Sequence, residues 1–220
     1  MDRIFVIMCG GYYEHFEDHK SMCVVNGEIL VERTIKLLKN VGVSTENIYI
    51  SSNDDKFERF GVKVLHHENT YRWEDTGIKG YWLDAFYPYF RDDTKVTYLY
   101  GDVYYTENAI KTIVECIRPG NILFGTKFAK NKKHLNIGEP FAFKVDDYKR
   151  FIFAVNEVKK MYDEGKLVRH PITWELYRYL NGFDMNIQRV QDSTYICIDD
   201  GTLDVDNPSS IKKIEEGLSK

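Results

Sequence analysis

Lys95-Val96-Thr97-Tyr98-Leu99-Tyr100-Gly101-Asp102-Val103 is an apolar run that stops on a glycine and an acid. Such a run, bounded by turn residues, reads as a buried strand, and Gly101 lets the chain turn tightly where the strand stops. Asp102 then stands at the carboxyl end of that strand, where open α/β sheets place their ligands. Far downstream, Leu203-Asp204-Val205-Asp206-Asn207-Pro208 again puts acids directly after an apolar stretch. Carboxylates brought together from two strand ends are suited to holding a divalent cation against phosphates.

The flanking sequence supports a sheet of this kind. Ile4 to Met8 is continuously apolar and runs into Gly10-Gly11, as a central parallel strand would. Glycines there let backbone N–H groups come close to a phosphate. The loop is neither a Walker A loop, since no G-K-[ST] follows, nor a G-x-G-x-x-G fingerprint. Asn26-Gly27 marks a turn, and Ile29 to Val41 carries apolar residues at helical spacing. Strands are expected at Asn47–Ser52, Lys63–His66, Asn121–Phe124, Phe141–Val145 and Thr194–Ile198. Helices are expected at Ile78–Phe90, Glu107–Ile117, onward from Val145 to about Met161, Trp174–Leu180 and Pro208–Leu218.

Strand and helix alternate through the first 125 residues, which predicts an α/β fold with a mostly parallel central sheet flanked by helices. Residues 127 to 193 break that rhythm and are denser in Lys, Tyr and Phe; we read them as an acceptor-binding insertion within a single domain spanning 1–220.

Composition narrows the function. At 220 residues with 43% hydrophobic content, the chain has enough for a real core. Its 16 Tyr and 13 Phe are read as core packing. A net charge of -4 argues against a duplex nucleic-acid partner. Cysteines at 9, 23, 116 and 197 show no C-x-x-C spacing, which argues against a zinc or redox pair and fits a reducing cytoplasm. No apolar run approaches a membrane span, and Ile4–Met8 is too short for a secretion signal.

Four ordered blocks carry a resemblance. Met8-Cys9-Gly10-Gly11, then His19-Lys20-Ser21-Met22-Cys23-Val24-Val25-Asn26-Gly27-Glu28-Ile29-Leu30-Val31-Glu32, then Gly101-Asp102-Val103, then Leu203-Asp204-Val205-Asp206-Asn207-Pro208 together cover nearly the whole chain. The set resembles the nucleotidyltransferase superfamily that makes NDP-sugars and CDP-alcohols, whose fold is Rossmann-like, of the GT-A kind. The chain departs from that pattern with Tyr13 for a glycine, His15 for an arginine and His19 for the proline before the lysine, and with Glu14, Glu17 and Asp18 in the loop.

The resemblance implies a magnesium-dependent transfer of a nucleoside monophosphate to a phosphorylated acceptor. The compact length and the Asp-Val-Asp-Asn-Pro ending favour CTP as donor, with a sugar phosphate or polyol phosphate as acceptor. Gly10 and Gly11 would supply backbone donors, and Lys20 would meet the triphosphate. Asp102 would hold the metal together with Asp206 or Asp204, one of which could instead cap the helix starting near Pro208. Gly77 and Gly80 would admit the base against a helix start, and Lys127 or Lys144 would meet the acceptor phosphate. A homodimer is also implied. His66-His67 point to opposite faces of a strand and do not suggest a metal. Two rivals remain. One is a GT-A-type glycosyltransferase, against which Asp102-Val103-Tyr104 lacks a second acid. The other is a non-catalytic nucleotide-binding relative.

Overall fold

Strands that pack helices on both faces must be apolar on both faces, and two segments here meet that demand almost completely. The computed structural model describes residues 3–10, 18–69, 71–74, 77–126, 138–187 and 189–217. Its main sheet has seven strands: β1 (Ile4–Met8), β2 (Ile48–Ser51), β3 (Lys63–Leu65), β4 (Val96–Tyr100), β5 (Ile122–Gly125), β6 (Pro140–Val145) and β7 (Tyr195–Cys197). They lie in the order β7-β5-β6-β4-β1-β2-β3. All five residues of β4 are buried, as are four of the five in β1, and these two strands pair at the centre.

β1 runs parallel to β2 and β4, β2 to β3, and β5 to β7. Only β6 runs the other way, antiparallel to both β4 and β5. The predicted α/β fold with a mostly parallel central sheet flanked by helices is therefore present. Of the stretch 127–193, read as an insertion within the single domain, β6 lies inside this sheet.

Among the described residues, four helices pack on the main core, α1 (Leu30–Asn40), α2 (Glu107–Val114), α3 (Tyr148–Asp163) and α4 (Thr173–Leu180), and a fifth, α5 (Pro208–Glu215), packs through Ile214 on a small core of Val25, Leu30 and Val205. Local chemistry sets where they begin. Thr106 caps α2 through Ala109 N and Asp147 caps α3 through Arg150 N, each satisfying a first-turn amide. The aromatic surplus is core: Tyr98, Phe86, Phe143 and Phe151 are all buried and pack ring against ring between the sheet and α3, and buried Tyr148 packs on Phe90 beside them. All four cysteines are free thiols, and none of the described helices is long and apolar enough to cross a membrane.

One expected element is absent. Instead of a helix over Ile78–Phe90, Arg72–Glu74 and Gly77–Lys79 form a two-stranded ribbon, followed by a single 3-10 turn at Trp82–Ala85. Gly77 and Gly80 take φ of 120° and 67°, values that end a right-handed helix. The apolar spacing that looked helical instead serves packing, with Leu83 and Phe86 buried against the core.

Candidate active site

The exit of β4 is built by a close approach to β1. Gly101 N donates to Met8 O at 3.0 Å. A Cβ on Gly101 would lie 2.5 Å from that same oxygen and 2.8 Å from Cys9 Sγ, so the crossing needs glycine. Asp102 follows immediately, held over the end of the two central strands.

The second acidic stretch is brought to it by backbone pairing. Leu203–Asp204 forms an antiparallel ribbon with Val103–Tyr104, and Val205 N donates to Asp102 O at 2.8 Å. Val205 anchors the ribbon from beneath, buried with Val25, Leu30 and Ile214 in a second small core. Asn207 caps α5, accepting from Ser209 N at 3.0 Å and Ser210 N at 3.3 Å, with Pro208 opening the helix. Because Asn207 does the capping, Asp206 is left to face Asp102, and the alternative of an aspartate cap falls away.

Lys20 completes the cluster from a third direction. It opens a 3-10 turn, Lys20–Met22, whose approach is fixed from both sides. His19 packs edge-on to Phe57 at 5.3 Å and its Nε2 lies 3.2 Å from Asp54 Oδ2. Lys56 Nζ then ties Asp18 at 2.6 Å to Asp54 at 3.0 Å. From this clamp Lys20 Nζ donates to Asp102 Oδ2 at 3.0 Å and to Asp206 Oδ1 at 2.9 Å. Residues 20, 102 and 206 thus meet at one ammonium group.

Charge is unbalanced here. Burial alone would lower the Lys20 pKa, but Asp102 first, then Asp204 and Asp206, raise it overall. Asp204 has its Oδ1 wholly shielded and without a hydrogen-bond partner, although the residue as a whole keeps some exposure. Burial, then the neighbouring Asp102, push its carboxyl well above the usual range, more than Lys20 lowers it. Glu139 is also raised, by burial and then by Asp206 and Asp102, with Lys20 opposing. Four carboxylates therefore share the field of one lysine.

Glu139 was not anticipated from the sequence. It precedes β6, the one reversed strand, so the start of that strand reaches the edge where the others end. The same reversal corrects Lys144 as an acceptor ligand. Lys144 pairs with Thr97 near the start of β4, about 16 Å along the strand from Asp102. Its side chain is only 4% exposed, and its ammonium donates to Arg118 O and Asp146 Oδ2, both at 2.6 Å. It is a structural cation at the far edge.

Trp82, two residues after Gly80, lies with its ring 5.6 Å from that of Tyr100, the last residue of β4. The helix start expected to bond a base is not there. Trp82 N already donates to His170 Nε2 at 3.0 Å, and Tyr81 N to Asp84 Oδ2 at 3.4 Å. Gly10 follows β1, with Asn69 Nδ2 3.2 Å from where a Cβ on it would stand. Gly11 and Lys127 lie outside the described residues. Among those described, the one group of three metal-donor side chains whose atoms all lie within 4.8 Å of one another is Asp55, Glu58 and His66, exposed on the surface; Asp102, Asp204 and Asp206 stand farther apart around Lys20.

No protein-family model matches this chain, and no curated protein sequence does. Solved structures do. The CTP:phosphocholine cytidylyltransferase of Streptococcus pneumoniae aligns over 99% of this chain and 100% of its own, at 14% identity and a TM-score of 0.55. The 4-diphosphocytidyl-2C-methyl-D-erythritol synthase of Anaerococcus prevotii aligns over 99% and 98%, at 16% identity and a TM-score of 0.57. A structure from Bacillus anthracis, described as a glucose-1-phosphate thymidylyltransferase, aligns over 100% and 96%, at 14% identity and a TM-score of 0.60. At these identities the likeness is one of fold, and it extends over the whole chain.

Proposed function

We propose that this protein is a nucleotidyltransferase: a phosphorylated acceptor attacks the α-phosphorus of a nucleoside triphosphate, CTP in our reading, and pyrophosphate leaves. The new bond joins an acceptor phosphate oxygen to the α-phosphorus, and the bond to the β-phosphate oxygen breaks. The observation that carries this reading is the meeting of Lys20, Asp102 and Asp206 over the carboxyl ends of β1 and β4. Among the structures of like fold, a CTP:phosphocholine cytidylyltransferase, a 4-diphosphocytidyl-2C-methyl-D-erythritol synthase and one described as a glucose-1-phosphate thymidylyltransferase support it.

The donor set fits magnesium. Asp102 and Asp206 offer carboxylate oxygens that already converge on one cationic group, and Asp204 adds a buried oxygen with no other partner. Those residues would hold the ion, with Asp102 and Asp206 foremost. When bound, magnesium neutralises phosphate charge and makes the α-phosphorus more open to attack.

The chain's own contribution is positioning and charge. Lys20 is a compact ammonium on a flexible stem, able to leave the carboxylates for the phosphates and to offset the charge that builds on the leaving group. Gly10 and Gly11 let the backbone approach the triphosphate without side-chain obstruction. In this reading the loop that carries Gly80 and Trp82, whose ring lies against Tyr100 at the end of β4, contacts the base. Residues 1–220 act as one unit in this scheme. Lys127 is kept as an acceptor ligand; Lys144 is not.

Incubation with each nucleoside triphosphate, magnesium and a panel of sugar phosphates, polyol phosphates and phosphocholine tests the proposal. Pyrophosphate release that needs both CTP and one acceptor is the expected result. Transfer from an NDP-sugar without pyrophosphate would establish the glycosyltransferase instead. Nucleotide binding with no turnover across the panel would leave a binding protein.

A further inference from the structure

We propose that Lys20 is a latch: in the nucleotide-free protein its ammonium takes the carboxylates of the cation site, so that a divalent cation binds firmly only together with the triphosphate. The inference deepens the cation site proposed above and rests on it.

Lys20 Nζ sits 3.0 Å from Asp102 Oδ2 and 2.9 Å from Asp206 Oδ1, so one ammonium bridges the two carboxylates that would ligate a metal. Magnesium requires such oxygens at about 2.0–2.1 Å. An ammonium and a divalent ion on the same pair of oxygens would press two like charges together. Only one of them can hold the pair at a time.

Lys20 does not give way easily. Its side chain is 13% exposed, and its ammonium is held by two carboxylates at once, at 3.0 and 2.9 Å. Displaced by a bare metal ion, it would be left as a partly buried ammonium whose two carboxylates have been taken. Removing one partner from such a pair is costly. A triphosphate changes this balance, because it supplies new anionic oxygens to which the flexible side chain can turn. The nucleotide thereby frees Asp102 and Asp206 as the metal arrives, which couples the two ligands positively.

Asp204 supports the same picture. Its shielded Oδ1 has no hydrogen-bond partner while Lys20 occupies the other two acids. The site therefore holds more acceptor capacity than the lysine satisfies.

Titration with Mn2+, followed by the electron paramagnetic resonance of the free ion, tests the latch without any need for turnover. On the native chain, saturating CTP should tighten Mn2+ binding by about 5- to 150-fold beyond what CTP alone binds in solution. Lys20→Met and Lys20→Gln should each bind Mn2+ without nucleotide about tenfold or more tighter than the native chain, within that same range of coupling. Lys20→Arg, which keeps the charge, should not. Equal Mn2+ affinity in the native, Met and Gln chains would overturn the latch, as would equal native affinity with and without CTP. Asp102→Asn placed in the Lys20→Met chain distinguishes the two levels. If that double variant still binds Mn2+ as tightly as Lys20→Met alone, the cation site itself is misplaced, and the latch falls with it.

Discussion

The two edges of the central sheet each carry a lysine among aspartates, and they are built to opposite ends. At the starts of β1 and β4, Asp146 is surrounded by more positive charge than it carries. Arg3 pairs with it, Lys144 lies at 2.6 Å, and Gly120 N donates at 2.9 Å. The cations are satisfied in turn, Lys144 by Arg118 O and Arg3 by Val96 O and Val145 O. At the strand exits the ratio is inverted: one lysine faces Asp102, Asp204, Asp206 and Glu139. A closed network with every group partnered is what stability asks for. An open cluster with surplus negative charge and a shielded carboxylate oxygen without a partner is what a cation and a phosphate would complete.

Substitutions at the two edges should therefore fail in different ways. Asp102→Asn should lower turnover by about 10²- to 10³-fold, the scale for losing a group that stabilises transition-state charge, with the melting temperature nearly unchanged. Steady-state kinetics beside a thermal melt checks both halves; retained activity removes Asp102 from the mechanism. Asp146→Ala should do the reverse. Leaving Lys144 and Arg3 unpaired should cost about 3 kcal/mol of unfolding free energy in urea titrations, while the folded fraction keeps its rate per molecule.

Gly101→Ala joins the two properties, because it lies where packing sets the position of Asp102. The contacts of 2.5 Å to Met8 O and 2.8 Å to Cys9 Sγ must be relieved by moving the turn. A loss of about 1–3 kcal/mol in stability should accompany a fall in turnover. Full activity in a destabilised Gly101→Ala chain would show that Asp102 need not be held so closely.

The smallest effects lie in pH dependence, and their signs differ between the edges. Asp204 titrates well above the ordinary 3.8, chiefly through burial and Asp102. Between those values the folded chain keeps a proton that the unfolded chain has lost. Its contribution is thus fullest below 3.8 and drains away as pH rises through the raised value. Asp204→Asn should flatten that decline in denaturation curves taken from about pH 4 upward. Burial opposes the charge of Asp146 too, but hydrogen bonds from Lys144 and Arg3 outweigh it and hold its pKa below 3.8. Stability from Asp146 is present above 3.8 and lost as pH falls, so Asp146→Asn should flatten the acid limb instead. Slopes of the same sign in both variants would dissolve the contrast between the two edges.

Much of this arrangement was legible in the chain. Continuous apolar runs announced β1 and β4, and the residues after them announced the turns. Helix α5 was foreshadowed by Asn207-Pro208, and the hairpin at Asn26-Gly27 by its dipeptide, with both residues at positive φ. Two misreadings share a cause. The resemblance points to Lys144 and not to Glu139, because strand direction is not written in a strand's own sequence. β6 looks like any other apolar run, yet it alone is antiparallel, and this exchanges the edges to which its two ends project. The segment from Gly77 to Phe90 failed for another reason: apolar residues spaced for a helix were spaced for aromatic packing, and two glycines at positive φ prevailed over the pattern.

Local physics, acting through runs of apolar residues and the backbone freedom of glycine, fixed where this chain forms buried strands and where it turns, and so which acids stand at strand ends. Which of those acids meet was settled only in three dimensions. The ribbon joining Val103–Tyr104 to Leu203–Asp204, the His19 clamp on Asp54, and the reach of Lys20 to Asp102 and Asp206 are all contacts between residues far apart in sequence. Such contacts depend on loop closure and shared burial, and neither is encoded at any single position.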